Sequence, residues 1–172
     1  AVQPLTTASK VFFDRPPAGF SAHPLLSPRG ALHLARAGAE AALGTLIDAF
    51  NGSGVAIEPV GPAAIAARVP LLRPEWRVAG LLEPGCADID VAALHAGFLA
   101  GARARGAELR LDCGVHAVAR DGGGWRLATA AGDIGAGVIV NAAGAWADAV
   151  AALAGVAPAG ITPLRRTVVQ IA

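Results

Sequence analysis

Residues 141–148, Asn-Ala-Ala-Gly-Ala-Trp-Ala-Asp, are the part of this chain whose side chains and spacing best suit ligand binding. They follow an apolar run at residues 137–140 and open a helical pattern. A strand, a turn of small residues and a helix, in that order, let a backbone approach a bound ligand closely. Ala142, Ala143 and Gly144 are therefore candidate binding residues, and tight packing of helix on strand is the alternative. Trp146 either walls the same pocket or is a large core residue.

Two adjacent arginines, Arg165 and Arg166, are the candidates for substrate binding. They lie in a predicted strand, residues 164–170, so their side chains are expected on opposite faces of it. A guanidinium group binds a carboxylate through two parallel hydrogen bonds, so either arginine suits an acidic substrate. A solvated arginine at a sheet edge is the alternative interpretation of each.

The other reactive side chains form no recognisable catalytic or metal-binding pattern. The four histidines show no pairing at metal-ligand or acid–base spacing, and no Ser/His/Asp or Cys/His arrangement can be recognised. Cys86 and Cys113 are far apart and belong to no Cys-x-x-Cys motif, which favours buried free thiols over a disulfide or a metal site. We therefore expect no metal and name no catalytic acid or base.

The bulk composition argues against several classes of function. Only 16% of the 172 residues are charged and the net charge is +1, with no basic cluster, which argues against nucleic-acid binding. No signal-peptide pattern and no apolar run of ~18 residues is present, so a cytoplasmic location is the default expectation. Apolar residues make up 54% of the chain, which is enough for one good core or two small ones.

Hydrophobic periodicity predicts the elements that position these residues. Helices are predicted at residues 6–13, 37–50, 62–69, 91–105 and 147–154. Strands are predicted at residues 30–35, 55–60, 78–82, 108–111, 115–120, 125–129, 137–140 and 164–170. Asp90 is the expected N-cap of the fourth helix, and residues 121–124, Asp-Gly-Gly-Gly, are expected to close a hairpin.

Several short motifs, in this order and spacing, resemble the D-amino-acid-oxidase-like family of FAD-dependent oxidoreductases, to which glycine oxidase and sarcosine oxidase belong. Residues 141–148 carry the clearest likeness. Residues 88–98 and 105–109 are similar to the family's helix start and its helix-to-strand step. Residues 124–134 resemble its three-stranded β-meander, and residues 163–166 resemble its re-entry into the substrate domain. Residues 16–20 and 29–32 look like the opening of that domain.

The resemblance implies a mixed α/β fold, namely part of an FAD-binding, Rossmann-like domain with a β-meander, interleaved with an antiparallel-sheet substrate domain. Residues 1–89 would belong to the substrate domain, residues 90–158 to the FAD-binding domain, and residues 159–172 would return to the substrate domain as a strand. The family's Gly-x-Gly-x-x-Gly turn and its C-terminal flavin-covering segment are not matched, since the glycines of residues 132–137 have the wrong spacing and precede a strand. The chain also lacks methionine. We therefore expect an internal fragment, inactive alone, whose partners are the remaining segments of the same enzyme.

The resemblance also implies roles for individual residues. Val115 stands where the family contacts adenine through a backbone N–H and C=O, and an ordinary core valine is the alternative. Ala142, Ala143, Gly144 and Trp146 stand where the family's chain passes the cofactor. The implied cofactor is FAD, bound weakly or not at all by this chain alone. The implied reaction is oxidation of the C–N bond of a small amine or amino acid by hydride transfer to flavin. A flavin dehydrogenase of 2-hydroxy acids and a non-catalytic α+β module without cofactor are the alternatives.

Overall fold

The computed structural model describes residues 3–165 and 167–169, which divide into two compact units, residues 1–107 and residues 108–172. The helices of the first unit are α1 (Gln3–Asp14), α2 (Ala41–Phe50), α3 (Pro62–Arg68) and α4 (Val91–Ala104), with a short 3₁₀ helix at Pro74–Trp76. Its strands are β1 (Leu26–Pro28), β2 (Ala31–Ala35), β3 (Glu58–Val60), β4 (Ala79–Glu83) and β5 (Ala87–Ile89). The second unit contains β6 (Val115–Asp121), β7 (Gly124–Thr129), β8 (Gly132–Ala136), a 3₁₀ helix at Gly144–Trp146 and α5 (Ala147–Leu153).

The core of the first unit lies around an antiparallel sheet in the order β2-β4-β3. Leu81 in the central strand and Ile65 in α3 are fully buried. Helix α2 contacts β2 and α3 contacts β4. The helical periodicity of α2 and α3 therefore reflects apolar faces that pack on this sheet.

An aromatic cluster joins α1 to α4. Phe12 stacks on Phe98 with ring centroids 5.4 Å apart, and Phe20 meets both rings edge-on at 5.0 Å. Gly97 permits this contact, because a Cβ on it would lie 2.6 Å from the Phe20 ring. The cluster fixes α4 within the first unit.

Strands β1 and β5 form a separate two-stranded antiparallel ladder. The Asp90 N–H donates to the Leu25 carbonyl at 2.9 Å, and the Asp90 carboxylate accepts from the Ala93 N–H at 2.8 Å. The predicted N-cap of the helix at Val91 is thus confirmed. The ladder itself was not predicted, because three residues are too few for a period of two to show.

The second unit is built on the meander β6-β7-β8. This confirms the hairpin predicted at residues 121–124 and the three-stranded meander that the resemblance implies, whereas β8 lies outside every strand predicted from periodicity. Val118, Leu127 and Ile134 form one row across its less exposed face. On the other face, Arg126 lies 3.7 Å from Asp121 and 3.8 Å from Asp133. Apolar and charged residues therefore alternate as expected for a sheet covered on one side, and α5 contacts β6.

Three predicted strands are wrong in the described residues. Residues 108–111 and 137–140 have no strand pairing, and residues 164, 165 and 167–169 are likewise irregular. Every strand pair of the described residues is antiparallel. A strand makes its hydrogen bonds only with a neighbour, so an apolar run without one stays extended and exposed. Val138 and Val140 are accordingly 78% and 83% exposed.

The mixed α/β class with antiparallel sheets is confirmed. Several boundaries also shift. Helix α1 begins at Gln3 rather than residue 6, α2 begins at Ala41 rather than residue 37, and β3 occupies only the end of the predicted strand 55–60. The compact units meet at residues 107 and 108, whereas the domains expected from the resemblance meet at residues 89 and 90. Compactness within this chain does not distinguish cofactor from substrate domains, so that division stays a prediction.

Candidate functional site

Residues 141–147, which we call the binding turn, connect the extended residues 137–140 to α5. Gly144 has a φ of +56°, in the left-handed region that other residues avoid. Apart from the neighbouring residues in the chain, a Cβ placed on Gly144 would have no heavy atom of the described residues within 4 Å. Tight packing of helix on strand therefore does not explain this glycine. Its backbone borders open space, as a ligand-binding turn requires.

The other predicted members of the turn are mostly exposed. Ala142 is exposed and Ala143 is half-buried. Trp146 is 74% exposed, so it is not a core residue of the described part of the chain. Its large apolar ring therefore faces outward beside the open backbone of Gly144, and the interpretation as a pocket wall stays a prediction.

The Asn141 side chain makes hydrogen bonds to the backbone near both ends of the binding turn. Its Oδ1 accepts from the Ala143 N–H at 3.2 Å, and its Nδ2 donates to the Ala147 carbonyl at 2.7 Å. One partner is a donor and the other an acceptor, so only this orientation of the amide satisfies both. Sequence reasoning missed this role, although asparagine before a run of small residues is a known turn-forming signal.

Asp148, in the first turn of α5, holds the segment that follows the helix. Its two carboxylate oxygens accept from the N–H groups of Ala159 at 2.8 Å and Ile161 at 2.9 Å. The carboxylate thus connects the start of α5 to residues 159–161, which lead towards Arg165. Sequence reasoning missed this contact too, because its partners lie 11 and 13 residues away.

Several backbone donors of the binding turn, among them those of Gly144 and Ala145, remain available. The N–H groups of Trp146 and Ala147 donate to the carbonyls of Ala143 and Gly144, as a 3₁₀ turn requires. Within the described residues, the N–H groups of Gly144 and Ala145 have no acceptor. They are therefore free to donate to oxygen atoms of a ligand.

Val115 begins β6, opposite Thr129 of β7, and is half-buried. The pairing register shifts between Val115 and Ala117, so His116 forms a β-bulge. Because β6 is an edge strand of the meander, its outer side has no strand partner among the described residues. Backbone groups there are open to a ligand.

A small hydrogen-bonded cluster fixes the chain beside Val115. The buried Thr129 hydroxyl donates to the Gly132 carbonyl at 2.6 Å and accepts from the Ala131 N–H at 3.2 Å. The Cys113 thiol donates to the same hydroxyl at 3.1 Å. Cys86 and Cys113 are both free thiols and half-buried rather than fully buried.

The candidate substrate arginines are only partly described. Arg165 is exposed and lies in an irregular segment, so the predicted strand placement is wrong for it. Arg166 lies outside the described residues. The prediction that one of the two binds a substrate carboxylate therefore stays a prediction.

Other ionisable groups add little to the site. Glu108 accepts hydrogen bonds from Arg110 at 2.8 and 3.2 Å, which raises the pKa of a guanidinium already charged at every ordinary pH. The described residues contain no cluster of three or more acidic, histidine or cysteine side chains suited to a metal ion. No helix in the described part of the chain has the length and apolarity to span a bilayer.

Comparison with known proteins assigns this chain to a family. The profile of the DAO family, described as FAD dependent oxidoreductase, matches residues 3–172. Mitochondrial dimethylglycine dehydrogenase of Homo sapiens is 39% identical over 97 residues, which cover 56% of this chain and 11% of that protein.

Solved structures show the same fold. L-proline dehydrogenase from P. horikoshii is 26% identical with a TM-score of 0.64, over 90% of this chain and 39% of that one. Glycine oxidase from Geobacillus kaustophilus is 24% identical with a TM-score of 0.67, over 89% of this chain and 40% of that one, a likeness that concerns the fold alone. The chain thus spans less than half the length of these relatives.

Proposed function

Because this chain belongs to the DAO family of FAD-dependent oxidoreductases, we propose that it forms part of the FAD site of an enzyme that oxidises the C–N bond of a small amine or amino acid. The observation that carries this proposal is the family match over residues 3–172 together with the open binding turn. The named relatives act on glycine, L-proline and dimethylglycine. These compounds share an amino group next to a carboxylate, which is the substrate class that we propose.

The residues of the second unit fit an FAD molecule. Val115 lies at the start of the edge strand β6, a position suited to backbone contacts with the adenine ring. The binding turn offers the free N–H groups of Gly144 and Ala145 and the open space beside Gly144. A ligand rich in oxygen atoms matches these donors, and the exposed Trp146 ring matches an apolar or aromatic part of it. We therefore propose Val115, Ala142, Ala143, Gly144 and Trp146 as FAD contacts.

The chemistry divides between the cofactor and the chain. Bound FAD would supply the oxidant for the C–N bond of the substrate. The residues of this chain would bind the cofactor and the substrate and orient them. The exposed guanidinium of Arg165 suits the substrate carboxylate, because it binds both carboxylate oxygens at once. Arg166 is the second candidate for this role.

The test is flavin reduction with a matched pair of substrates. The purified protein that contains this chain should show the visible absorption of oxidised flavin. Under anaerobic conditions, glycine, an N-methylated glycine or proline should bleach that absorption, whereas glycolate, which carries oxygen in place of the amine nitrogen, should not. Bleaching by glycolate alone would identify a 2-hydroxy-acid dehydrogenase instead. A protein without flavin that also fails to take up added FAD would favour a non-catalytic module.

A further inference from the structure

Asn141 is the best candidate for a residue that acts on the cofactor without touching it. Its amide makes the two hydrogen bonds described above, to Ala143 near the start of the binding turn and to Ala147 at its end. The residues between them are small or exposed, and none of residues 141–147 is fully buried. Hydrogen bonds therefore contribute much of what fixes the shape of this turn.

We propose that Asn141 is a positioning residue for FAD, which sets the binding turn so that the free N–H groups of Gly144 and Ala145 meet the cofactor. This inference rests on the proposed function, since it needs a flavoprotein. The bond from Nδ2 to the Ala147 carbonyl is the shorter of the two, at 2.7 Å, and holds the end of the turn against its beginning. Glycine by itself adopts other conformations equally well. Without the Asn141 bond, the left-handed conformation of Gly144 would depend mainly on the hydrogen bond that its carbonyl accepts from the Ala147 N–H.

The substitution Asn141→Asp tests this role with almost no change in shape. The introduced carboxylate keeps an oxygen for the Ala143 N–H but places a second oxygen opposite the Ala147 carbonyl, where the two repel. The flavin-loaded protein should release FAD about tenfold faster at neutral pH, the change expected when one hydrogen bond is lost. Asn51→Asp is the matched control, because Asn51 is exposed at the end of α2 and is the only other asparagine in the chain.

A pH series separates positioning from a general loss of stability. When the introduced carboxyl takes up a proton, it donates to the Ala147 carbonyl, and this bond raises its pKa above the ordinary value of about 3.9. FAD release from Asn141→Asp should therefore slow towards that of the parent as the pH falls from about 7.5 to about 5.

The groups that titrate near the turn are few. No residue from 137 to 147 is ionisable, and α5 contributes only Asp148. Strand β6, which α5 contacts, carries His116, Arg120 and Asp121. Because the parent protein contains all of these groups, its release rate measured at each pH corrects for them.

Three results would overturn the inference. Unchanged FAD release from Asn141→Asp, in a parent that holds flavin, would overturn it and leave the proposed function standing. A loss of apoprotein melting temperature that accompanies faster release, without recovery at low pH, would show a purely structural role. A parent protein that binds no flavin would overturn both the inference and the proposed function.

Discussion

Two separate properties of position 144 favour glycine, namely its backbone conformation and the open space beside it. Any residue other than glycine pays about 1–2 kcal/mol to adopt the φ of +56°, and this cost is the same at every left-handed glycine. The open space beside it matters only if a ligand fills it. Substituting two left-handed glycines in parallel can therefore distinguish backbone strain from a lost contact with the ligand.

We expect Gly144→Val to abolish most FAD binding and Gly155→Val to leave it unchanged. Gly155 follows α5 with a φ of +65°, and a Cβ on it also meets nothing within 4 Å. Both variants should lose similar folding stability, of about 1–2 kcal/mol. The flavin-to-protein absorbance ratio and the melting temperature measure the two effects, and equal flavin loss in both variants would mean that strain alone is responsible.

Cys113→Ser should keep its flavin, because serine can still donate to Thr129.

Single residues show where sequence reasoning stops. The small-residue turn and its left-handed glycine were predictable from residue types, because the constraint is local. The contact of Asp148 with Ala159 and Ile161 was not, because an acidic residue in the first turn of a helix is already favourable there without any partner.

At the scale of elements, local signals succeeded and non-local ones failed. Helix α4 was predictable from its N-cap and its apolar spacing, both of which lie within it. The meander was predictable because hairpins pair neighbouring segments. Residues 137–140 are apolar like a buried strand, and residues 108–111 alternate like a half-buried one. Pairing requires another segment, however, and the described residues supply none. The hydrophobic periodicity of a segment does not indicate whether a neighbouring strand is present to pair with it.

Helix α4 offers a second matched pair of glycines, with opposite expected effects. A Cβ on Gly97 would lie 2.6 Å from the Phe20 ring and 2.7 Å from the Phe20 carbonyl oxygen, so Gly97→Ala should destabilise the first unit by about 1–3 kcal/mol. Gly101, one turn later, has only the flexible end of Arg105 nearby, at 3.3 Å. Gly101→Ala should stabilise by up to about 1 kcal/mol through helix propensity. Urea unfolding of both variants measures the difference, and a loss of stability from Gly101→Ala would contradict the packing described.

At the scale of the whole molecule, much apolar surface is exposed in the second unit. Val138, Val140 and Trp146 are each more than 70% exposed, as are Leu164, Val168 and Val169. Monomeric soluble proteins rarely leave large contiguous apolar patches in water. The chain covers 39% and 40% of the length of two related structures.

The 172 residues alone should therefore bind FAD weakly and self-associate. No Gly-x-Gly-x-x-Gly turn occurs in the sequence, and a helix N-terminus behind such a turn is the usual site for a dinucleotide diphosphate. The edge strand at Val115 and the free donors of the binding turn remain, and we expect these contacts to be too few to hold the cofactor against the entropy of binding. Titration with FAD, followed by flavin fluorescence, measures the affinity, and sedimentation velocity measures the association state. A monomer that binds one FAD tightly would contradict this expectation, because the affinity would then have to come from the described residues alone.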